Sequence, residues 1–238
     1  MNSSLEERIR KGIKETFDRS RRQEAPTALE WAANLREFYD TLKDTEKDAF
    51  YDIFVRDYFE NENNQELKEN AILYLGYLKI EKAGDMLKGL LEKQKKEHTS
   101  FNRRIIRALG NIGCEDSYAI IEDWMNAIYT TSLNALIKID YQKSVKYIKR
   151  LVNGSEEFSF SDDDRILFLS GILKNRIKKM GVKNAIAESK SYLGKAKKSR
   201  ENLMGAFERC WDRCESLVEE FKFYTKDSFM EKVHSVMD

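Results

Sequence analysis

The sequence repeats itself in its middle third. With Gly76 placed on Gly110, an offset of 34 residues, Ala71 falls on Ile105, Ile72 on Ile106 and Leu75 on Leu109. At the same offset Leu78 meets Ile112, Met86 meets Ile120, Leu87 meets Ile121 and Leu90 meets Trp124. With Leu109 placed on Leu136, an offset of 27, Ala108 falls on Ala135, Ile112 on Ile139, Ile121 on Ile148 and Trp124 on Leu151. A loop over 93–99 separates only the first two copies and absorbs the difference in offset. A weaker fourth copy is expected to begin at Ile166, with Gly171 in the place of the glycine. Self-similarity at such a period marks units that cannot bury their own apolar faces and do so by stacking on each other.

The units are helical. Apolar residues recur every three or four positions in nearly every segment. Leu5, Ile9, Ile13 and Phe17 form one stripe, behind a Ser4–Glu7 capping pair. Pro26 suits a first helical turn, ahead of Leu29, Ala32, Leu35, Tyr39 and Leu42. Thr45 with Asp48 is expected to open a third helix running to about Glu60, before a polar break at 61–64. Pro26 is the only proline, where an average chain of this length would hold about 12. A β-sandwich or barrel needs turn residues at short intervals, and this chain lacks them. After a loop over 154–161, the spacing predicts helices over about 161–180, stopped by Gly181, then to about 192, then from about 200 to 224. The last carries Leu203, Phe207, Cys210, Trp211, Cys214, Leu217, Val218 and Phe221 on its apolar face, and is expected to close the stack.

The segments Tyr74-Leu75-Gly76-Tyr77-Leu78 and Ala108-Leu109-Gly110-Asn111-Ile112-Gly113, with Arg103-Arg104 just upstream, resemble the A-L-G-x-I-G segment of HEAT-like repeats, especially the short bacterial kind. The resemblance covers residues 65–153. The third copy has Ile137 in the place of the glycine, and the scarcity of proline departs from the family. The expected fold is all-α: an α-solenoid of stacked helical hairpins in a single elongated domain over 1–238. Its N-terminal helices would occupy 1–62, the HEAT-like repeats 63–154, and the C-terminal helices and cap 155–238. The resemblance implies that the helices over 65–80, 100–113 and 131–139 line a concave face.

Composition narrows the function. Net charge is +1, so no global field selects nucleic acid or an anionic membrane. Residues 141–200 nevertheless carry 15 basic and 6 acidic groups. No stretch approaches the roughly 20 apolar residues that span a bilayer, and charges interrupt the N-terminal segment too early for a secretory signal. Three cysteines without framework spacing fit a reducing cytoplasm.

Signals for catalysis are poor. His98 and His234 adjoin no nucleophile motif, and no Gly-rich phosphate loop is present. Cys210 and Cys214, with His234, would supply three metal ligands, but the cysteines interleave with core aromatics and read as inert buried thiols. Asp162, Asp163 and Asp164 read as acids complementing a helix start capped by Ser161 rather than as a cation site. The basic run Lys174, Arg176, Lys178, Lys179, Lys183, Lys190, Lys195, Lys197, Lys198 and Arg200 lacks a groove-reading motif and reads as solvated helix faces. No catalytic residue, metal or cofactor is therefore expected.

Two features point to a protein partner. On the middle repeat, Phe101, Ile105, Ala108 and Ile112 form a core stripe, which leaves Arg103, Arg107 and Asn111 as a ridge. Glu69, Leu73 and Tyr77 are the equivalents one copy earlier, and Thr130, Asn134 and Lys138 one copy later. Charge, amide and aromatic groups mixed in this way suit a protein surface better than a phosphate track. Residues 37–69 hold 11 acids and 4 bases, with Asp44, Asp48 and Asp52 recurring every four residues among Phe50, Tyr51, Ile53, Phe54, Val55 and Tyr58. The candidate contact residues are thus Glu69, Tyr77, Arg103, Arg107, Asn134, Lys138, Asp44, Asp48 and Asp52. The expected function is a non-catalytic protein-binding module: an adaptor, or a dedicated inhibitor such as an immunity protein that neutralises a basic, nuclease-like toxin domain. The alternatives are a nucleic-acid-binding helical-repeat protein and an accessory helical-repeat lyase.

Overall fold

The structure, a computed structural model, describes residues 3–21, 27–154, 161–214 and 218–237. Among these residues there are helices and no β-strand. The chain divides into two compact units, residues 1–141 and 142–238, and the division falls between the two helices of the third sequence copy.

The first unit begins with α1 (Ser3–Arg21), α2 (Ala28–Asp40) and α3 (Asp44–Val55). The stripe of α1 is buried as its spacing requires, with Ile9 and Ile13 fully enclosed. Thr27 caps α2 reciprocally: its hydroxyl accepts the Glu30 N–H, and the Glu30 carboxylate accepts the Thr27 N–H at 2.6 Å. Pro26 lies outside the described residues. The third helix starts at Asp44, just ahead of the Thr45 expected to open it, because Glu46 accepts the Lys43 N–H at 3.0 Å and fixes the first turn there. It widens into a π turn over Arg56–Glu60, which the Asn61 N–H closes on the Arg56 carbonyl. Phe50, Phe54 and Tyr58 run through this widening as a ladder of stacked rings, with centroids 5.5 and 5.2 Å apart.

Next come α4 (Gln65–Leu78), α5 (Ala83–Glu92), α6 (Ser100–Ile112), α7 (Tyr118–Asp123) and α8 (Tyr129–Ile139). Helix α4 packs along α6, and α6 along α8. Small residues allow the approach. A Cβ placed on Gly76 would stand 2.6 Å from the Ala108 Cα, and one on Gly110 would stand 2.6 Å from the Ala135 Cα. The loop over 93–99 is held by buried Asn102, whose amide donates to the Lys95 and Glu97 carbonyls. Helix α6 ends on Gly113 at φ 80°, the left-handed region that glycine enters freely. Helix α4 ends in the same region, but on Lys79, at φ 55°.

The second unit contains α9 (Tyr141–Val152), α10 (Asp162–Met180), α11 (Val182–Lys190), α12 (Lys197–Cys214) and α13 (Lys226–Met237). Helix α10 packs along α12. Ser161 caps α10 by accepting the Asp164 N–H, and Gly181 stops it. Gly171 meets nothing within 4 Å of a built Cβ, so the weaker fourth copy lacks the close helix approach that Gly76 and Gly110 make. The expected helix over about 200–224 is shorter, with α12 ending at Cys214. Val218 and Phe221 are buried as the period implied, but Phe221 belongs to a 3₁₀ turn, Glu219–Phe223, that brings its ring back to 4.8 Å from Trp211. Helix α13 completes this core with Phe229, 5.3 Å from Trp211.

Candidate binding surface and pocket

The ridge residues of α6 and α8 are at the surface. Arg103, Arg107, Asn134 and Lys138 are exposed, and Asn111 is half-buried. The Lys138 ammonium donates to Asn111 Oδ1 at 2.6 Å, across the α6–α8 seam. On α4 the ridge does not continue as expected. Leu73 is buried, because α4 is flanked by α2 on one side and α6 on the other and has little free face. Glu69 is half-buried beneath Arg104, whose Nε lies 3.1 Å from its carboxylate, and also accepts from the Ser100 hydroxyl at 2.8 Å. Tyr77 is half-buried, and its carbonyl accepts from Arg36 at 2.8 Å.

The ridge carries a charge cluster that spacing alone did not reveal. Lys79, Arg107 and Lys138 come from the end of α4, from α6 and from α8. Crowding by the surrounding chain, then the charges of Arg107 and Lys79, pull the Lys138 ammonium below its ordinary pKa. Among the described residues no carboxylate forms an ion pair with any of the three.

The acidic stripe of α3 differs in this respect. Asp44 pairs with Lys47 at 2.9 Å, which holds its carboxyl below the ordinary value. Asp48 and Asp52 share Lys82, at 3.8 and 2.9 Å, and that ammonium also lies over the Tyr51 ring at 5.1 Å. Their charge is largely answered within the fold.

The first unit also holds a pocket that sequence reasoning missed, enclosing about 580 Å³. Phe17, Trp31, Phe54, Tyr58 and Tyr74 line it, from four different parts of the chain. Phe17 is the hub, 5.4 Å from Trp31, 5.2 Å from Tyr58 and 6.2 Å from Tyr74, centroid to centroid. Burial pushes the Tyr74 hydroxyl up to about 12, so the ring stays neutral at physiological pH. Glu62, Glu66 and Leu67 belong to the lining where α4 begins, and Leu67 is 49% exposed. Arg104 also lines the pocket, but Glu69 and Asn70 hold its guanidinium. The i, i+4 pair Phe54 and Tyr58 was visible in sequence; the convergence of the other rings was not.

In the second unit, most of the chemistry weighed from sequence is absorbed by packing. Asp162 pairs with Lys198 and Arg165, at 2.6 and 2.7 Å. Arg176 is buried, with Glu188 accepting from it at 2.6 and 2.7 Å. Lys197 lies 3.4 Å from Glu201. Cys210 is buried, whereas His234 and His98 are exposed. Among the described residues no group of three His, Cys, Asp or Glu is placed to hold a metal ion, and no helix is long and apolar enough to cross a membrane. Comparison of the chain with protein-family models, with curated proteins and with solved structures finds no match.

Proposed function

We propose that this chain is a non-catalytic protein-binding module built on a HEAT-like stack of helical hairpins. It acts by direct contact, as an adaptor or as a dedicated inhibitor of the immunity-protein kind. The stack is supported by the matching approaches of Gly76 to Ala108 and of Gly110 to Ala135. The binding role rests on one observation: the charges of Arg107 and Lys79 act on Lys138, and among the described residues no carboxylate pairs with any of the three. Like charges at close range raise the free energy of the folded state, and a partner carboxylate placed among them relieves that cost. The basic run over 174–200, which a nucleic-acid reading would need, is partly consumed by Glu188, Asp162 and Glu201.

The test is quantitative affinity capture from the native cell with three baits: wild type, Arg107→Glu with Lys138→Glu, and Lys178→Glu with Lys179→Glu. The expected result is one protein retained in proportion to the bait, lost with the first pair and kept with the second. Capture unaffected by the ridge reversal overturns the assignment. So does micromolar oligonucleotide binding at physiological salt that disappears when the 174–200 charges are reversed.

A further inference from the structure

We propose that the aromatic pocket of the first unit is a socket for a cationic side chain, arginine or lysine, presented by the protein partner. Three observations converge. Phe17, Trp31 and Tyr58, each half-buried, line the cavity in front of buried Phe54 and Tyr74, and Phe17 is in contact with Trp31, Tyr58 and Tyr74. Aromatic faces attract a desolvated cation through their quadrupole, and a guanidinium also stacks on them flat. Glu62 and Glu66 add formal negative charge to the lining, and among the described residues neither is in an ion pair. Among the described lining residues Arg104 is the one cation, and Glu69 already holds it, so there an incoming cation meets net negative charge. Leu67, 49% exposed, offers an apolar surface for the methylene stem of a long basic side chain. The cavity, about 580 Å³, lies in the size range of small-ligand sites, about 300–1,000 Å³, and so has room for a long basic side chain. A nucleobase would also stack on these rings, but its phosphate would face Glu62 and Glu66 rather than the basic groove that nucleic-acid sites use.

That the cation belongs to a protein rests on the function proposed above, and the experiment separates the two ideas. Trp31 lines the pocket and is half-buried, whereas Trp124 and Trp211 are buried elsewhere. The three indole N–H signals therefore report the pocket selectively in nuclear magnetic resonance, with Trp31→Phe assigning the one of interest. The probe is a capped glycine-arginine-glycine tripeptide, compared with its neutral citrulline isostere. The expected result is a saturable shift of the Trp31 signal alone, with affinity at least about fivefold lower for citrulline. Glu62→Gln with Glu66→Gln should weaken binding about tenfold at low salt without changing the melting temperature, and 1 M salt should shrink that difference. The socket is overturned if the Trp31 signal stays still, if citrulline binds equally, or if a nucleoside monophosphate binds more tightly than the tripeptide. Tighter binding of tetramethylammonium than of the tripeptide overturns the side-chain assignment. A silent Trp31 beside ridge-dependent capture removes the socket alone. Tripeptide binding beside ridge-independent capture removes the ridge alone.

Discussion

Gly110 lies so close to Ala135 that a Cβ added to it would stand 2.6 Å from both the Cα and the Cβ of that alanine. Real Cβ atoms do not approach backbone so closely, so any side chain at 110 forces α6 away from α8. Gly110→Ala is expected to destabilise the first unit by about 1–3 kcal/mol, and Gly110→Val by more. Ala135→Gly in the same chain should recover only part of the loss, because it removes the clash between the two Cβ atoms while the added carbon still stands 2.6 Å from the Cα at 135. The two helix propensities also cancel, at about 1 kcal/mol each. Gly194→Val is the control. Its added carbon would meet the side-chain amide of Asn153, which can swing aside. Thermal melts rank the variants, and similar melting temperatures for Gly110→Val and Gly194→Val would contradict the close α6–α8 approach.

The same seam shows how much could be read from sequence. Ile105, Ala108 and Leu109 are fully buried, as the periodicity required, and the aligned glycines mark the points of closest approach. Periodicity assigns a residue to a face but does not say how many faces are covered. Leu73 was therefore misplaced on the ridge, since α4 is packed from two sides. Nor does periodicity show where a helix breaks while its apolar pattern continues. Val218 and Phe221 keep the pattern of α12, but Val218 is extended and Phe221 reaches the core through a 3₁₀ turn. The pocket was illegible for a third reason: Phe17, Trp31, Tyr58 and Tyr74 are far apart in sequence, and only the packing of the helices brings them together.

Lys79 occupies the left-handed C-cap of α4, at φ 55°, where α6 uses Gly113. A non-glycine residue held there costs about 1 kcal/mol. Lys79→Gly is therefore expected to raise the melting temperature by about 2–4 °C. It also removes one of the two cations that depress the Lys138 ammonium, whose pKa should rise, as lysine side-chain resonances would report. A destabilised Lys79→Gly would mean that the lysine side chain makes a folded-state contact outweighing its backbone strain.

Alkaline stability follows from Tyr74. Its folded pKa, about 12, exceeds the ordinary 10, because burial disfavours the phenolate. Between those values the unfolded chain loses this proton while the folded chain retains it. The contribution is thus complete below pH 10 and is lost as pH rises toward 12, by about 2 kcal/mol in all. Burial raises Tyr39 and Tyr51 as well, so they share in the decline. Tyr74→Phe should flatten, without abolishing, the fall in denaturation midpoint between pH 10 and 12. An unchanged slope would show that the Tyr74 hydroxyl ionises in the folded protein as it does in the unfolded chain.

In the second unit the half-buried group most costly to remove should be Glu188. Its carboxylate receives the Arg176 guanidinium in a two-pronged pair, at 2.6 and 2.7 Å, and also accepts from the Tyr192 hydroxyl at 2.9 Å. Arg176 is 8% exposed and Tyr192 is 2% exposed, so this carboxylate serves two buried donors. Glu188→Ala leaves a buried guanidinium and a buried hydroxyl with a shared acceptor missing, at an expected cost of about 3 kcal/mol or more. Arg176→Met leaves Glu188 better placed, because the Tyr192 hydroxyl still serves it and its side chain is 22% exposed to water. That variant should lose less. Combining Arg176→Met with Glu188→Leu replaces the pair by apolar groups of similar bulk, and should be more stable than Glu188→Ala alone. The expected placing of Glu188→Ala below both Arg176→Met and the apolar pair can be read from denaturant midpoints at high and low salt. A buried pair should keep that ordering in 1 M salt, whereas an interaction screened like a surface one would let the three converge.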